Sequence, residues 1–154
     1  MLRAEPKNWF SWDYPVYDDG APVADLDLAW VREAGEVIIE SVACTLYRES
    51  LLSGAFILEA GGFLLARAEK PSALFRTFEI AYDDRHHYTL QARSAFARTF
   101  VLREGDRETG SIYPDHLFSR KMTVDLPEAL PLAVRVFITW LVLLMWKRAA
   151  QSSS

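Results

Sequence analysis

One cysteine in 154 residues, Cys44, excludes an internal disulfide and leaves no CxxC pair or zinc-type ligand spacing to draw. It lies in the apolar run "SVACTLY", where a free thiol is expected to pack as a small buried hydrophobe. The N-terminus, "MLRAEPKNWFSWDYP", lacks a basic start followed by an apolar stretch, so no secretory signal is expected and a cytoplasmic setting is the default. Cationic excess is missing as well. The 17 Lys and Arg are outnumbered by 21 Asp and Glu, for a formal charge of −4, and no Arg/Lys stripe is interleaved with aromatics. Nucleic acid is therefore not an expected partner. Internal repeats and low-complexity segments are lacking, apart from the terminal "QSSS".

Catalytic signatures are equally scarce. Ser53-Gly54 and Ser111 have no G-x-S-x-G setting, and "AGGF" is too short for a phosphate-binding loop. His86-His87 beside Asp83-Asp84 is the one cluster of metal-capable side chains, but adjacent strand residues point to opposite faces. His116, in "YPDHLF", reads as a loop residue, and the acidic pairs Asp18-Asp19 and Asp83-Asp84 read as turns. The expectation is a protein with no catalytic residue, metal or cofactor.

What the chain does have, from Trp9 to about Val124, is an apolar pattern of period two, the period of a strand. "ADLDLAWV" sets Leu26, Leu28 and Trp30 on one face against Asp25 and Asp27 on the other. "EVIIESVACTLYRES" is rich in β-branched residues, and "GAFILEAGGFLLARAEK" reads as a hairpin about Gly61-Gly62. "ALFRTFEIAY" alternates Leu74, Arg76, Phe78 and Ile80 against Phe75, Thr77, Glu79 and Ala81. A second hairpin turns at "EGDRE", and a last strand falls near "SRKMTVDL". Roughly eight to ten short strands with regularly spaced turns are the pattern of an antiparallel sandwich or barrel.

Only the last stretch, "LPEALPLAVRVFITWLVLLMWKRAA", breaks this pattern. Asp125 and Glu128 have capping-box spacing, Pro131 suits a first helical turn, and Lys147 and Arg148 suit a helix C-terminus. As a helix, the 17 residues from Leu130 to Trp146 reach roughly 25 Å, the lower edge of a bilayer span. Arg135 interrupts them, and one central Arg costs about 2.5 to 3.5 kcal/mol on insertion, which leaves the sum marginal. Phe137, Trp140, Leu141 and Leu144 fill one side of the helix, and Ile138, Val142, Met145 and Trp146 fill the other. A helix apolar all round is buried all round, and a closed sheet can bury it. The fold expected is mainly β, an antiparallel barrel closed around a hydrophobic helix at about 130–148. The single domain would cover 1–150, with a disordered tail at 151–154. Arg135 is placed at the barrel mouth, reaching water or a carboxylate such as Glu128. The alternative is a tail-anchored membrane protein, with a soluble β-domain and a transmembrane helix at 130–146.

The order of these signals resembles the tubby C-terminal domain, an architecture shared by phospholipid scramblases and plant LURP-one-related proteins. "RTFVLRE" is followed by "TGSIYP", then by "FSRKMTVDLPE", then by the apolar helix "LPLAVRVFITWLVLLMW". Gly110-Ser111-Ile112 and Asp125-Leu126-Pro127 carry most of the likeness. The resemblance implies a non-enzymatic binding or adaptor module, peripheral at the membrane, that recognises anionic phospholipid headgroups such as phosphoinositides through a basic patch. The candidate headgroup residues are Arg93, Arg98, Arg103, Arg120 and Lys121, with Arg107 nearby in sequence. Arg would grip phosphate by a bidentate fork and Lys as a point charge. The competing reading makes them solvated strand faces paired with Glu104, Asp106 and Glu108. The tubby lipid-binding motif is not reproduced residue for residue, and the scramblases' proline-rich arm and cysteine cluster are missing.

Overall fold

The computed structural model describes residues 1–28, 33–50, 52–72 and 75–152. Among these, twelve strands precede one helix. The strands are β1 (Leu2–Ala4), β2 (Asp13–Asp18), β3 (Ala21–Asp27), β4 (Ala34–Ile39), β5 (Val42–Arg48), β6 (Ala55–Ala60), β7 (Phe63–Glu69), β8 (Thr77–Ala81), β9 (His87–Ala92), β10 (Phe100–Glu104), β11 (Arg107–Pro114) and β12 (Met122–Asp125). The helix, α1, spans Leu132–Ser152.

All strands join one antiparallel sheet in the order β3-β2-β1-β12-β11-β10-β9-β8-β7-β6-β5-β4. Neighbours are consecutive in the chain except β1 and β12, whose ladder (Leu2 opposite Val124, Ala4 opposite Met122) brings the two ends of the sequence together. The sheet thus curls into a nearly closed barrel, and the seam lies between β3 and β4. Asp25, Asp27 and Glu36 stand exposed along that seam. Charges on open strand edges discourage pairing with other chains.

Period-two patterning explains the inside of the barrel. Tyr14 and Val16, Leu26 and Leu28, Phe78 and Ile80 are buried, while the residues between them face outward. Cys44 points inward and is buried, and burial raises its thiol pKa. Trp30 and Leu74 lie outside the described residues. Strand expectations fell short in two places. β1 is only three residues long and carries little periodic signal. "EVIIESVACTLYRES" is two strands, β4 and β5, turned at Glu40-Ser41, where neither residue is a glycine.

Twelve strands enclose more room than the eight whose side chains alone fill a barrel, and a helix about 10–12 Å across can occupy it. Every side chain from Val136 to Trp146 is buried. Trp140 packs edge-on against Phe56 of β6 at 5.8 Å and stacks with Phe137 at 6.1 Å. The single hydroxyl in that run, on Thr139, bonds back to the Arg135 carbonyl at 2.8 Å. No helix among the described residues is long and apolar enough to cross a membrane.

The start of α1 differs from the capping-box reading. Asp125 belongs to β12, opposite Ser111, and Pro131 instead offers its carbonyl to the Arg135 N–H at 3.0 Å. Among the described residues Arg135 finds no carboxylate; its Nε donates to the Leu130 carbonyl at 3.0 Å. The helix also runs past 148 through Ala149, Ala150 and Gln151 to Ser152, and Ala and Gln are good helix formers.

Because the strands follow one another antiparallel around the barrel, their connections alternate between its two ends. One end carries tight turns at 19–20, 40–41, 61–62, 82–86 and 105–106, and the start of α1. The other carries the described residues of loops 5–12, 28–33, 49–54, 70–76, 93–99 and 115–121, and the end of α1.

Candidate functional site

The loop end is built as a ring in which each loop is tied to the next. The Lys70 N–H donates to the Gly54 carbonyl at 2.7 Å, joining loops 49–54 and 70–76. A Cβ on Gly54 would come within 2.3 Å of the Lys70 carbonyl oxygen, so this approach requires glycine. Arg76 Nη2 crosses to the carbonyls of Ser94 and Ala95, at 2.9 and 2.8 Å. Arg98 continues the ring to the carbonyls of Leu117 and Ser119, at 3.2 and 2.5 Å. Arg120 then reaches the carbonyls of Trp9 and Ser11, the latter at 2.5 Å. The Leu28 N–H donates to the Trp12 carbonyl at 2.8 Å.

α1 is fastened to this ring from below. The Trp146 indole donates to the Arg98 carbonyl at 2.9 Å, and the Arg98 guanidinium lies over the Trp146 ring, 4.2 Å from its centre. The Arg120 guanidinium lies 4.6 Å from the centre of the Trp12 ring. Lys147 donates to the Leu28 carbonyl, and Arg148 grips Glu33 through one nitrogen at 2.7 and 2.5 Å.

This wiring decides the electrostatics. A backbone carbonyl orients a cation but does not neutralise it. Lys70, Arg76, Arg98 and Arg120 are held by carbonyls, and none of them forms an ion pair with a described residue. Lys121 is exposed beside them. Across loops 70–76, 93–99 and 115–121 the only acid is Asp115, and it is engaged by Arg3 of β1 at 2.5 Å. That bond holds the Asp115 carboxyl below its ordinary pKa, against a smaller opposing effect of burial. Burial lowers the pKa values of Arg98 and Lys70, and for Lys70 the nearby charges of Arg148 and Arg48 push the same way. The loop end therefore carries positive charge on a protein whose net charge is −4.

The same loops expose apolar tips. Phe96 is 97% exposed, Phe10 86%, Phe118 79%, Leu117 77% and Trp9 69%. Between Trp9 and Phe118 opens a groove of about 580 Å³, with Pro6, Asn8 and His116 in its walls and Arg120 and Lys121 beside them. Cations and an apolar lining thus share one concave surface.

The five candidate headgroup residues divide between different parts of the barrel. Arg98, Arg120 and Lys121 come together at the loop end, Arg98 and Arg120 as links of the ring and Lys121 at the groove. Arg93 sits on loop 93–99 but pairs with Glu108 at 2.9 Å, and Arg107 pairs with Glu104 at 3.6 Å. Arg103 lies further down β10, opposite Thr89 and Glu108. Lys70 and Arg76, which sequence reasoning left out, belong with the first group. So do the exposed tips. Their signal was present as aromatics beside basic or polar residues in "NWFSW", "SAFAR" and "DHLFSRK".

At the other end, His86 Nδ1 lies 2.6 Å from Asp83 Oδ2, and the imidazole stacks on Tyr82. Among the described residues no three metal-capable side chains converge. No family model, curated protein or solved structure matches the chain.

Proposed function

We propose that the protein is a non-enzymatic binding module whose loop end recognises an anionic membrane surface, with a lipid phosphate seated in the Trp9–Phe118 groove beside Lys121. The observation that carries this reading is the set of cations held by backbone carbonyls. No carboxylate among the described residues pairs with them and they are already oriented, so little ordering cost remains on binding. A barrel around a hydrophobic C-terminal helix is compatible with a tubby-like fold, and the headgroup expectation attached to that resemblance points to the same ligand class. Arg93 and Arg103 are left outside the proposed seat by their positions.

Co-sedimentation with vesicles tests the reading. Phosphatidylcholine vesicles containing phosphatidylserine should pellet the protein, and pure phosphatidylcholine vesicles should not. Binding should weaken as salt rises from 50 to 500 mM, a conventional titration range over which the screening length shrinks severalfold. Each cation near an anionic surface contributes about 1 kcal/mol. Lys121→Gln should therefore weaken binding about fivefold, and Lys121→Glu further. Equal pelleting with neutral and anionic vesicles, or none with either, would refute the proposal.

A further inference from the structure

Charge alone does not account for five large apolar side chains exposed on loops 5–12, 93–99 and 115–121. Trp9 and Phe10 stand on loop 5–12, Phe96 on 93–99, and Leu117 and Phe118 on 115–121. These three loops are adjacent and locked together through Arg98 and Arg120. Each tip is therefore presented on a braced loop, with no large change of shape needed to expose it.

We infer that these tips insert into the bilayer, so that the protein stands on the membrane with its barrel axis steep to the surface and the tight-turn end away from it. The inference rests on the anionic-surface reading and adds depth and orientation to it. The occupant is a lipid bilayer because charge and apolar surface coincide in the way an interface demands. Aromatic side chains favour the headgroup boundary, cations beside them meet lipid phosphates, and affinity grows with the apolar area buried. The rest of the surface agrees with this orientation. The tight-turn end displays Asp19, Glu40, Asp83, Asp84 and Asp106, with Arg85 among them, and an anionic surface repels it. Exposed apolar residues also occur there, at Ile38, Val42, Phe63 and Leu64, but they flank Glu40 and Glu59 and lie on the strands beside the tight turns. Exposure of hydrophobes is thus common to both ends. Its coincidence with cations belongs to the loop end.

The test uses the full chain with Cys44→Ala and an environment-sensitive fluorophore on a new cysteine, at Phe96 in one protein and at Phe63 in a second. Both positions are exposed, so neither substitution opens the core. On vesicles containing phosphatidylserine, the label at 96 should shift to the blue and be quenched by acyl chains brominated near the headgroup. The label at 63 should do neither. Independently, a variant of the unlabelled chain with Trp9, Phe10 and Phe118 all changed to Ser should keep the parent's thermal midpoint. It should bind at least tenfold more weakly, and the residual binding should be the more salt-sensitive.

Pelleting with anionic vesicles while the label at 96 stays in water would overturn insertion and leave the electrostatic reading standing. Absence of pelleting would overturn both. Quenching at both labels would indicate non-specific adhesion and overturn the orientation. Lipid-free self-association abolished by the same triple substitution would assign the tips to a second copy of the chain instead.

Discussion

The two ends of this barrel are made from the same twelve strands yet follow opposite rules. At one end the chain reverses in as little space as it can. Asp19-Gly20, Glu40-Ser41 and Gly61-Gly62 place both turn residues at positive φ, the conformation whose twist matches that of flanking strands. The first two of these turns are acidic, and main-chain geometry is the purpose of all three. At the other end the connections lengthen and become basic and apolar-tipped, and neighbouring loops are braced by side chains bonded to backbone carbonyls. A loop that merely joined strands would need neither Phe96 nor Arg98. The contrast separates residues that close the barrel from residues that equip one mouth of it.

The largest effect should come from the part both ends share. Deleting residues 132–152 removes the centre of the core, and the product should show no cooperative thermal or urea transition and no near-ultraviolet dichroism. Trp140→Ala, a single cavity at 3% exposure, should lower unfolding free energy by about 3–5 kcal/mol in urea melts.

The comparison itself is sharpened by paired substitutions. Gly62→Ala places a side chain at φ 81°, which should cost about 1 kcal/mol or more. Ser41→Gly relieves a non-glycine residue at φ 65° and should raise stability by up to about 1 kcal/mol. Phe96→Ser, at the tip of a loop, should leave stability within about 0.5 kcal/mol while weakening vesicle binding. If Phe96→Ser destabilised as much as Gly62→Ala, the loop tips would belong to the fold and the contrast between the ends would fail.

The smallest effect concerns acid. Arg3 and Thr123 stabilise the Asp115 carboxylate where β1 meets β12, and its folded pKa lies below the unfolded value, near 3.8. Stability from this group is therefore complete above that unfolded value and is lost as pH falls through the lower folded one. Asp115→Asn should cost under about 1 kcal/mol at pH 7, because the pair is partly exposed. The gap between variant and parent in urea melts should narrow below about pH 4.

Much of this fold is legible in the sequence because period-two alternation is a local consequence of one face meeting a core. The hairpins at Gly61-Gly62 and Gly105-Asp106 announce themselves through glycine. The one at Glu40-Ser41 does not, since its positive φ values are imposed on residues with no turn signature, by the ladder pairing Ile39 with Val42. The candidate site was half legible. "FSRKM" marked Arg120 and Lys121, but Arg103 and Arg98 are both arginines of the same stretch, and nothing local separates one on a strand from one that links loops. Lys70 and Arg76 join Arg98 only because loops distant in sequence meet at one barrel mouth.

By itself, then, the sequence determined that there would be many short antiparallel strands, a single buried thiol and a helix apolar on every side. These follow from composition, periodicity and length. Only the tertiary structure decided that β1 pairs with β12, that twelve strands leave a space wide enough for that helix, and which cations keep their charge. Those are long-range facts. A guanidinium becomes neutralised or merely oriented according to whether the fold brings it a carboxylate or a carbonyl, and its own neighbours in the chain do not specify which.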